Sequence, residues 1–310
     1  MLSIIVPNYN HSDFLVRRME SILFQTYDNY EVILLDDNSS DGSLEILNRY
    51  VDHPKVSNLL VNDSNSGSPF KQWQKGIDQA EGDLIWIAES DDWAEEKFVE
   101  SLIDKLTPEV GIAYSRSWTY YEEKQERDSW FYADGLDMNR WKSDFSNSGQ
   151  DEIDNFLIYR NTIPNASACI FKKKLVEFTP QMLEMKFCGD WLFWAKMLTK
   201  TNLAFVSEPL NNFRFSLNTT RAVRSVDLEE KRLDEYFNCI KLINSWRSSD
   251  QTLVVQNYDW IINNLYPNPQ LYDFFLLKMP RLPIRKLDYL KYNLFRAAVP
   301  VWMRFKHMLS

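Results

Sequence analysis

The sequence predicts an α/β protein built on a mostly parallel, doubly wound sheet. Strand and helix patterns alternate from residue 2 to residue 114, and this alternation is typical of such sheets. The predicted strands are short, nearly continuous apolar runs, as expected of parallel strands that are covered on both faces. In chain order they are Leu2–Val6, Tyr30–Leu35, Val56–Val61, Leu84–Ala88 and Val110–Tyr114.

Between these strands lie segments whose apolar residues recur at helical spacing, namely Phe14–Gln25, Ser43–Val51 and Glu95–Leu106. Polar clusters follow three of the strands. They are Pro7–Asn10, Asp36–Asp41 and Glu89–Asp92. Because ligands of open α/β sheets bind outside the carboxyl ends of the strands, we expect these clusters to form the functional site.

The chain becomes less regular and more aromatic after residue 114. It then shows a strand-like run at Ala168–Phe171, a helix from Asp190 to Leu198 and two amphipathic helices over residues 227–265. Prolines divide the remainder into short pieces. We predict an α/β domain over 1–220, with halves 1–114 and 115–220, followed by a helical C-terminal region over 221–310.

The composition excludes several classes of protein. The 310 residues are 45% hydrophobic, which argues against a disordered chain. The net charge of −9 argues against general nucleic-acid binding. We find no cationic, apolar leader and no apolar run near the roughly 18 residues of a membrane span. The three cysteines are an odd number and have no metal-binding spacing, so reduced thiols and a cytoplasmic location are expected.

An acidic tip follows the apolar strand at Leu84–Ala88. Glu89, Asp91 and Asp92 repel one another there unless a positive charge lies among them. Mg²⁺ or Mn²⁺ would supply that charge, because hard cations bind carboxylates together with substrate phosphates. The alternative is an acidic loop in which Asp92 caps a helix beginning near Ala94.

The usual glycine-rich cradles for phosphate are missing. The first strand is followed by Pro7–Asn10 where a dinucleotide loop would carry glycines, and the chain has no Walker phosphate loop. A nucleotide bound at this edge would therefore need a metal ion to offset the charge of its phosphates.

Several segments in one order resemble family-2 glycosyltransferases of the GT-A fold. The resemblance is strong over residues 2–114 and weaker over 160–216. The segments are Ser3–Asn10, Ser21–Tyr27, Glu31–Gly42, Gly76-Ile77, Ala80, Gly82-Asp83 and Glu89–Asp92. The resemblance implies a GT-A domain over 1–220, in which 1–114 binds the nucleotide and 115–220 the acceptor. It also implies a nucleotide-sugar donor, most simply a UDP-sugar, and a glycan or lipid-linked acceptor in polysaccharide assembly.

The resemblance also assigns residues to the donor site. Pro7 and Tyr9 would contact the nucleotide, with the Tyr9 ring against the base. Either Asp36 or Asp37 would accept a hydrogen bond from the base or ribose. Asp91 and Asp92 would hold Mn²⁺ or Mg²⁺ and the ribose-diphosphate, with Asp91 in contact with the nucleotide-sugar.

Two further positions near the donor site leave alternatives open. The family often has Asp where this chain has Glu89, which puts metal ligation by Glu89 in question. Lys71 could add positive charge beside the diphosphate, or it could be a solvated helix lysine.

The same resemblance points to a catalytic base. The family places an acid before an aromatic-rich helix, and Asp190 occupies this position in Phe187–Trp194, with Gly189 where the family often has Glu. A carboxylate opposite the metal can deprotonate the acceptor hydroxyl, and a single displacement would invert the anomeric centre. Asp190 could also cap its helix, and the two roles are compatible.

On the acceptor side, the resemblance suggests Asn165, Trp191 and Arg214. Trp191 could stack on a sugar or could belong to the core. Arg214 falls in a region where the family often has Arg followed by His. That His is absent from Asn212–Ser216, so any metal or diphosphate contact that it would make is in question, while Arg214 could still help to neutralise phosphate.

The segment 278–310 contains eight Lys and Arg residues and one Asp among many aromatics. Such a composition suits peripheral contact with anionic lipids, which would place the protein at the inner face of a membrane. The alternative is a set of helices that pack against the core. Two other functions are weighed against glycosyl transfer. They are a nucleotidyltransferase that makes nucleotide-sugars and a non-catalytic sugar- or lipid-binding module on the same scaffold.

Overall fold

The strands predicted over residues 2–114 are all present, and the sheet continues beyond them. A computed structural model describes residues 1–129, 132–215 and 225–248, together with Leu294. The strands in the described residues are β1 Leu2–Asn8, β2 Tyr30–Asp36, β3 Val56–Val61, β4 Leu84–Ile87, β5 Trp93–Ala94, β6 Val110–Tyr121, β7 Glu126–Asp128, β8 Phe145–Asn147, β9 Cys169–Lys172 and β10 Asn202–Phe215.

The helices lie between these strands and after the last of them. They are α1 Ser12–Leu23, α2 Ser43–Asn48, α3 Pro69–Gln79, α4 Phe98–Ile103, α5 Gly149–Glu152, α6 Pro180–Glu184, α7 Gly189–Leu198 and α8 Val226–Ser245. A single π-helical turn, Ile153–Leu157, follows α5 directly, and a 3₁₀ turn, Ala166–Ala168, precedes β9. None of the helices in the described residues is both long and apolar enough to cross a bilayer.

One sheet contains all ten strands, in the order β3-β2-β1-β4-β9-β6-β10-β5, with β7 added to β6 and β8 added to β10. The first four strands of this order are parallel, and β6 and β10 form a long parallel pair. β9 joins the two parallel parts by running antiparallel to both β4 and β6. The sheet is therefore mostly parallel, as predicted, with antiparallel strands added in its second half.

Alternation along the strands produces two apolar layers. In β1, Ile4 and Val6 pack on one face of the sheet, against α1 and α4. Ile5 faces the other side, where α3 and α7 cover the sheet. Gly76 is the point at which α3 approaches this second face, and a Cβ there would collide with the Ile5 side chain. Every residue of β1 and β2 is buried, which explains their nearly continuous apolar sequences.

The segment after the acidic tip differs from the prediction. A helix was expected over Glu95–Leu106, but α4 begins only at Phe98. Before it, Trp93 and Ala94 form β5 and pair with the distant β10. Asp92 is thus followed by a strand, and the alternative in which it caps a helix near Ala94 is wrong.

The described residues include only part of the predicted C-terminal helical region. The first of the two helices expected over 227–265 is α8. The second, and the basic segment 278–310, lie outside the described residues except for Leu294. The domain division at residue 220 stays a prediction.

Replacing Gly76 by Ala should destabilise the protein by about 1–3 kcal/mol, because the added methyl group overpacks the contact between α3 and β1. Urea denaturation measures this change. Asp78→Ala, at an exposed position of the same helix, is the control and should stay within about 0.5 kcal/mol of the unmodified protein. Equal stabilities for the two variants would contradict the close packing of α3.

Candidate functional site

The polar clusters that follow β1, β2 and β4 meet at one edge of the sheet, as predicted. Asn8 at the end of β1 donates from Nδ2 to Oδ1 of Asp36 at the end of β2, at 2.9 Å. His11 Nδ1 lies 2.8 Å from the hydroxyl of Ser90 in the acidic tip. Direct hydrogen bonds therefore join three segments that are separate in sequence.

Asp36, the last residue of β2, and Asp37 are both buried and accept hydrogen bonds from neighbouring loops. Asp36 accepts from Asn8 and from the backbone N–H of Ser39, at 2.9 Å each. The carboxylate of Asp37 accepts five hydrogen bonds from the segment that connects β3 to α3 and from α3 itself. The donors are the side chains of Asn62, Asn65, Ser66 and Gln72 and the backbone N–H of Ser66. A contact of either aspartate with a nucleotide base stays a prediction.

Pro7 and Tyr9 differ in exposure. Pro7 is buried within β1, opposite Leu35 of β2. Tyr9 follows the strand and is 47% exposed, and Asn10 after it adopts a positive φ of 57° that turns the chain towards α1. The Tyr9 ring is thus accessible at the carboxyl edge, where the expected stacking on a base would take place.

Glu89 is directed into the protein. Its Oε1 accepts from the indole N–H of Trp73 at 2.8 Å, and its backbone N–H donates to the hydroxyl of Ser167 at 3.0 Å. Burial, aided by the nearby charge of Asp91, raises the pKa of Glu89 to about 8. Glu89 thus supports the tip from within, through its hydrogen bond with Trp73.

Asp92 lies deeper than the prediction of a metal ligand requires. It is 2% exposed, its Oδ1 accepts from the backbone N–H of Arg214, and its Oδ2 accepts from the side chain of Asn165, at 2.9 Å each. Burial and the charge of Asp91 raise the pKa of Asp92 to about 6. Because the side chain is almost fully buried and each oxygen already has a protein donor, the structure favours a supporting role for Asp92, and metal ligation by this residue stays a prediction.

Two buried arginines offset the carboxylates of the tip. Arg18 on α1 is 0% exposed and donates from Nε to the carbonyl oxygen of Glu89 at 2.8 Å. Within the described residues, neither Nη atom of Arg18 has a hydrogen-bond partner. Burial lowers the pKa of Arg18 to about 10 against the opposing charges of Asp92, Asp91 and Glu89. Arg214, 4% exposed, donates from Nε to the carbonyl oxygen of Asp91 at 2.7 Å.

Arg214 is also held from its other side. Its Nη1 pairs with the carboxylate of Glu122, and its guanidinium lies 4.2 Å from the ring centroid of Phe14. Arg214 and Asn165 were predicted on the acceptor side. The structure instead shows both bound to the acidic tip, and a contact of either with an acceptor stays a prediction.

The Asp91 carboxylate remains available in the tip. It is partly exposed, and no donor in the described part of the chain contacts it. The described residues contain no cluster of three or more His, Cys, Asp or Glu that could hold a metal ion alone. One open carboxylate nevertheless fits Mg²⁺ or Mn²⁺, because such ions keep several waters and take further ligands from substrate phosphates.

Asp190 lies in the first turn of α7, beside the start of α3. A Cβ on Gly189 would come within 2.5 Å of the Phe70 ring, so Phe70 explains why glycine precedes Asp190 here. Trp73, one turn along α3, contacts Phe193 of α7 at 5.7 Å between ring centroids and donates to Glu89. α3 thereby links α7 to the acidic tip.

The Asp190 carboxylate is itself held in place. Its Oδ2 accepts from the side chain of Asn161 at 3.0 Å, and its Oδ1 accepts from the N–H of Trp191 at 2.8 Å. Asp190 is not the N-cap residue, because Cys188 occupies that position. The prediction that it caps the helix is therefore replaced by a first-turn position, where an anion also favours the helix.

Two other predicted residues are placed differently from the expectation. Lys71 pairs with Glu184 on α6 at 2.9 Å near the surface, which favours the solvated-lysine alternative. Trp191 is 3% exposed, and its indole N–H donates to the carbonyl oxygen of Leu157 at 2.8 Å. With so little exposed surface, Trp191 belongs to the core, and we do not retain it as an acceptor platform.

The sequence reasoning missed Arg18, Trp73 and Glu235 of α8. Arg18 and Glu235 gave a signal, since each is a charged residue on the apolar side of its helix. Arg18 lies between Leu15 and Met19, and Glu235 lies four and eight residues before Cys239 and Ile243, which share its side of α8. Charged groups at such positions are seldom buried without partners, so both positions invited a search for one.

Replacing Arg18 by Met should destabilise the metal-free protein by about 3–5 kcal/mol at pH 7.5, because buried carboxylates lose their counter-charge. Urea denaturation in the presence of a chelator measures the loss. The loss should shrink at pH 5, below the raised pKa of Asp92, because that buried group then carries a proton and no longer needs a counter-charge.

The neighbouring Arg17 provides a matched control. It is exposed and stacks on Trp93, so Arg17→Met should cost at most about 1 kcal/mol at either pH. A loss for Arg18→Met that is the same at both pH values would refute the role of Arg18 as a counter-charge.

Comparison with known proteins agrees with the predicted fold and family. Glycosyltransferase GlyG of Streptococcus pneumoniae is 33% identical over 138 residues, which cover 44% of this chain and 45% of that protein. The poly(ribitol-phosphate) beta-glucosyltransferase of Bacillus spizizenii is 38% identical over 96 residues, which cover 30% of this chain and 15% of that protein. The chain thus matches less than half the length of these relatives.

Among solved structures, S. aureus TarS 1-349 in complex with UDP-GlcNAc aligns with a TM-score of 0.61 and 18% identity, covering 81% of this chain and 68% of that one. The same protein in complex with UDP aligns with a TM-score of 0.58 and 19% identity, covering 81% and 67%. This likeness confirms the predicted GT-A fold. The sequence model described as Glycosyl transferase family 2 matches residues 3–177, more than half of the chain. The chain belongs to glycosyl transferase family 2.

Proposed function

We propose that this protein is an inverting, metal-dependent glycosyltransferase that moves a sugar from a UDP-sugar to an acceptor hydroxyl in glycan or polysaccharide assembly. The observation that carries the proposal is the pair of carboxylates at the carboxyl edge of the sheet. Asp91 is open in the acidic tip, and Asp190 is held at the start of α7, which α3 links to that tip.

The donor site would combine Tyr9, the segment after β2 and Asp91. Tyr9 is exposed beside the tip, and stacking of an aromatic ring on a base contributes about 1–3 kcal/mol. UDP is the simplest choice of nucleotide, because the related structures of TarS contain UDP and UDP-GlcNAc.

Asp91 would hold Mn²⁺ or Mg²⁺ together with the diphosphate of the donor. When bound, the ion offsets the negative charge that develops on the leaving diphosphate. Two arginines would help to keep the Asp91 carboxylate available. Arg214 binds the backbone carbonyl of Asp91, and Arg18 reduces the repulsion among the carboxylates of the tip. Lys71 and Arg214 are paired elsewhere, so we assign neither to the diphosphate.

Asp190 would act as the general base. The acceptor oxygen forms a bond to the anomeric carbon while its proton passes to the Asp190 carboxylate. The bond from that carbon to the diphosphate oxygen breaks, and its electron pair leaves with the diphosphate. A single displacement of this kind inverts the configuration of the sugar. Asn161 and the Trp191 N–H keep the carboxylate oriented for this proton transfer.

The proposal extends to the acceptor and to the place of action. A lipid-linked glycan at the cytoplasmic face of a membrane would suit the basic, aromatic composition of 278–310, which lies outside the described residues. Relatives named for teichuronic acid biosynthesis and for poly(ribitol-phosphate) glycosylation support an acceptor of the cell-surface type.

Asp190→Asn should lower kcat by about 10²–10⁴-fold, because the amide cannot accept the acceptor proton. The measurement is UDP release from a panel of UDP-sugars, with water or an added glycan as acceptor. The dissociation constant for UDP in Mn²⁺ should stay within about twofold of the unmodified protein, since the donor half of the site is unchanged.

Asp78→Asn is the control for this experiment, because Asp78 is exposed on α3 and the same chemical change there should leave kcat unaltered. An unchanged kcat in Asp190→Asn would refute Asp190 as the base. Pyrophosphate release from a nucleoside triphosphate and a sugar phosphate would instead indicate a nucleotidyltransferase.

A further inference from the structure

One carboxylate on α8 binds the whole segment that leads into α7. Glu235 accepts from the backbone N–H groups of Lys186, Phe187 and Cys188, at 2.8, 2.7 and 3.0 Å. The first bond is to Oε1 and the other two are to Oε2. Glu235 is 6% exposed, so these charge-assisted hydrogen bonds form away from bulk water, where they are strongest.

One of these bonds compensates in part for the missing local cap at the start of α7, and the other two hold the segment that leads into it. Cys188 is the N-cap residue of α7, but its side chain makes no capping hydrogen bond. A helix usually satisfies its first N–H groups through a local Ser, Thr, Asp or Asn. Here a carboxylate from a helix nearly 50 residues further along the chain binds the N–H of the N-cap residue and of the two residues before it.

Further contacts tie α8 to the same turn. The thiol of Cys239, one turn after Glu235, donates to the carbonyl oxygen of Cys188 at 3.4 Å. Tyr236 packs on Trp191 with 5.2 Å between ring centroids. α8 thus holds residues on both sides of Asp190, which lies two positions after the last N–H that Glu235 binds.

We propose that Glu235 is a positioning residue that fixes the Lys186–Cys188 segment and thereby sets the orientation of the Asp190 carboxylate towards the acceptor. The inference rests on the proposed role of Asp190 as the base. It assigns part of the active-site framework to α8, beyond residue 177, where the match to the family ends.

Glu235→Gln is the test, because Gln keeps the size of the side chain while removing the charge and one of the two accepting oxygens. Hydrogen exchange followed by mass spectrometry should show faster exchange of the amides at 186–188. The kcat for UDP release from a UDP-sugar should fall by about 10- to 100-fold, the cost of a small misplacement of a reacting group. The dissociation constant for UDP in Mn²⁺ should stay within about twofold.

Glu230→Gln is the matched control, since it is the same change at a partly exposed position of the same helix. It should alter neither exchange nor kcat. Glu235→Asp retains the charge with a shorter reach and should recover part of the lost kcat. If Glu235→Gln does not fold, amide exchange at 186–188 and kcat are compared between Glu235→Asp and Glu230→Gln instead.

Two results would overturn the inference. Unchanged exchange at 186–188 would show that Glu235 does not hold the segment, and faster exchange with an unchanged kcat would show that holding it does not serve Asp190. The proposed function fails separately. If Asp190→Asn keeps full activity, the base is wrong, whereas loss of activity in Asp190→Asn with full activity in Glu235→Gln refutes the positioning role alone.

Discussion

The balance of charge beneath the end of β4 is the constraint on which the rest of the site depends. Three carboxyl groups lie within four residues, and two buried arginines, Arg18 and Arg214, bind the backbone of the same turn. Without these cations the tip would have to open towards solvent or lose its negative charge. With them, the turn stays buried at the edge of the sheet before any ligand arrives. This arrangement is a form of preorganisation.

The carboxylates of the tip look alike in sequence but have different surroundings, and these surroundings suggest different roles. Glu89 and Asp92 are bound by donors from α3, from the turn before β9 and from β10, so the tip joins elements from both halves of the sheet. Asp91 is left open to a ligand. Asp190 lies at the start of α7, next to α3, and the hydrogen bonds that Glu235 makes from α8 hold the segment before it.

The sequence predicted the fold and the meeting of the polar clusters at one edge of the sheet, because strand patterns and the polar residues that end strands are local signals. The sequence could not indicate which carboxylates are bound by the protein and which stay open to a ligand, since this depends on partners far away in the chain. Asp92 is bound by Arg214, which lies 122 positions further along the chain, and Lys71 is paired with Glu184. The charge of Arg18 was visible, but its burial follows from packing that no local pattern encodes.

The most direct test of this account is a calorimetric titration of UDP into the purified protein, with Mn²⁺ and with a chelator, repeated for Asp91→Asn. If the buried arginines leave Asp91 as the open ligand of the tip, UDP should bind the unmodified protein with Mn²⁺ at least about tenfold more tightly than without it, which is 1.4 kcal/mol or more. Asp91→Asn should lose this difference. Equal affinity with and without the ion, or an unchanged ion effect in Asp91→Asn, would contradict the account.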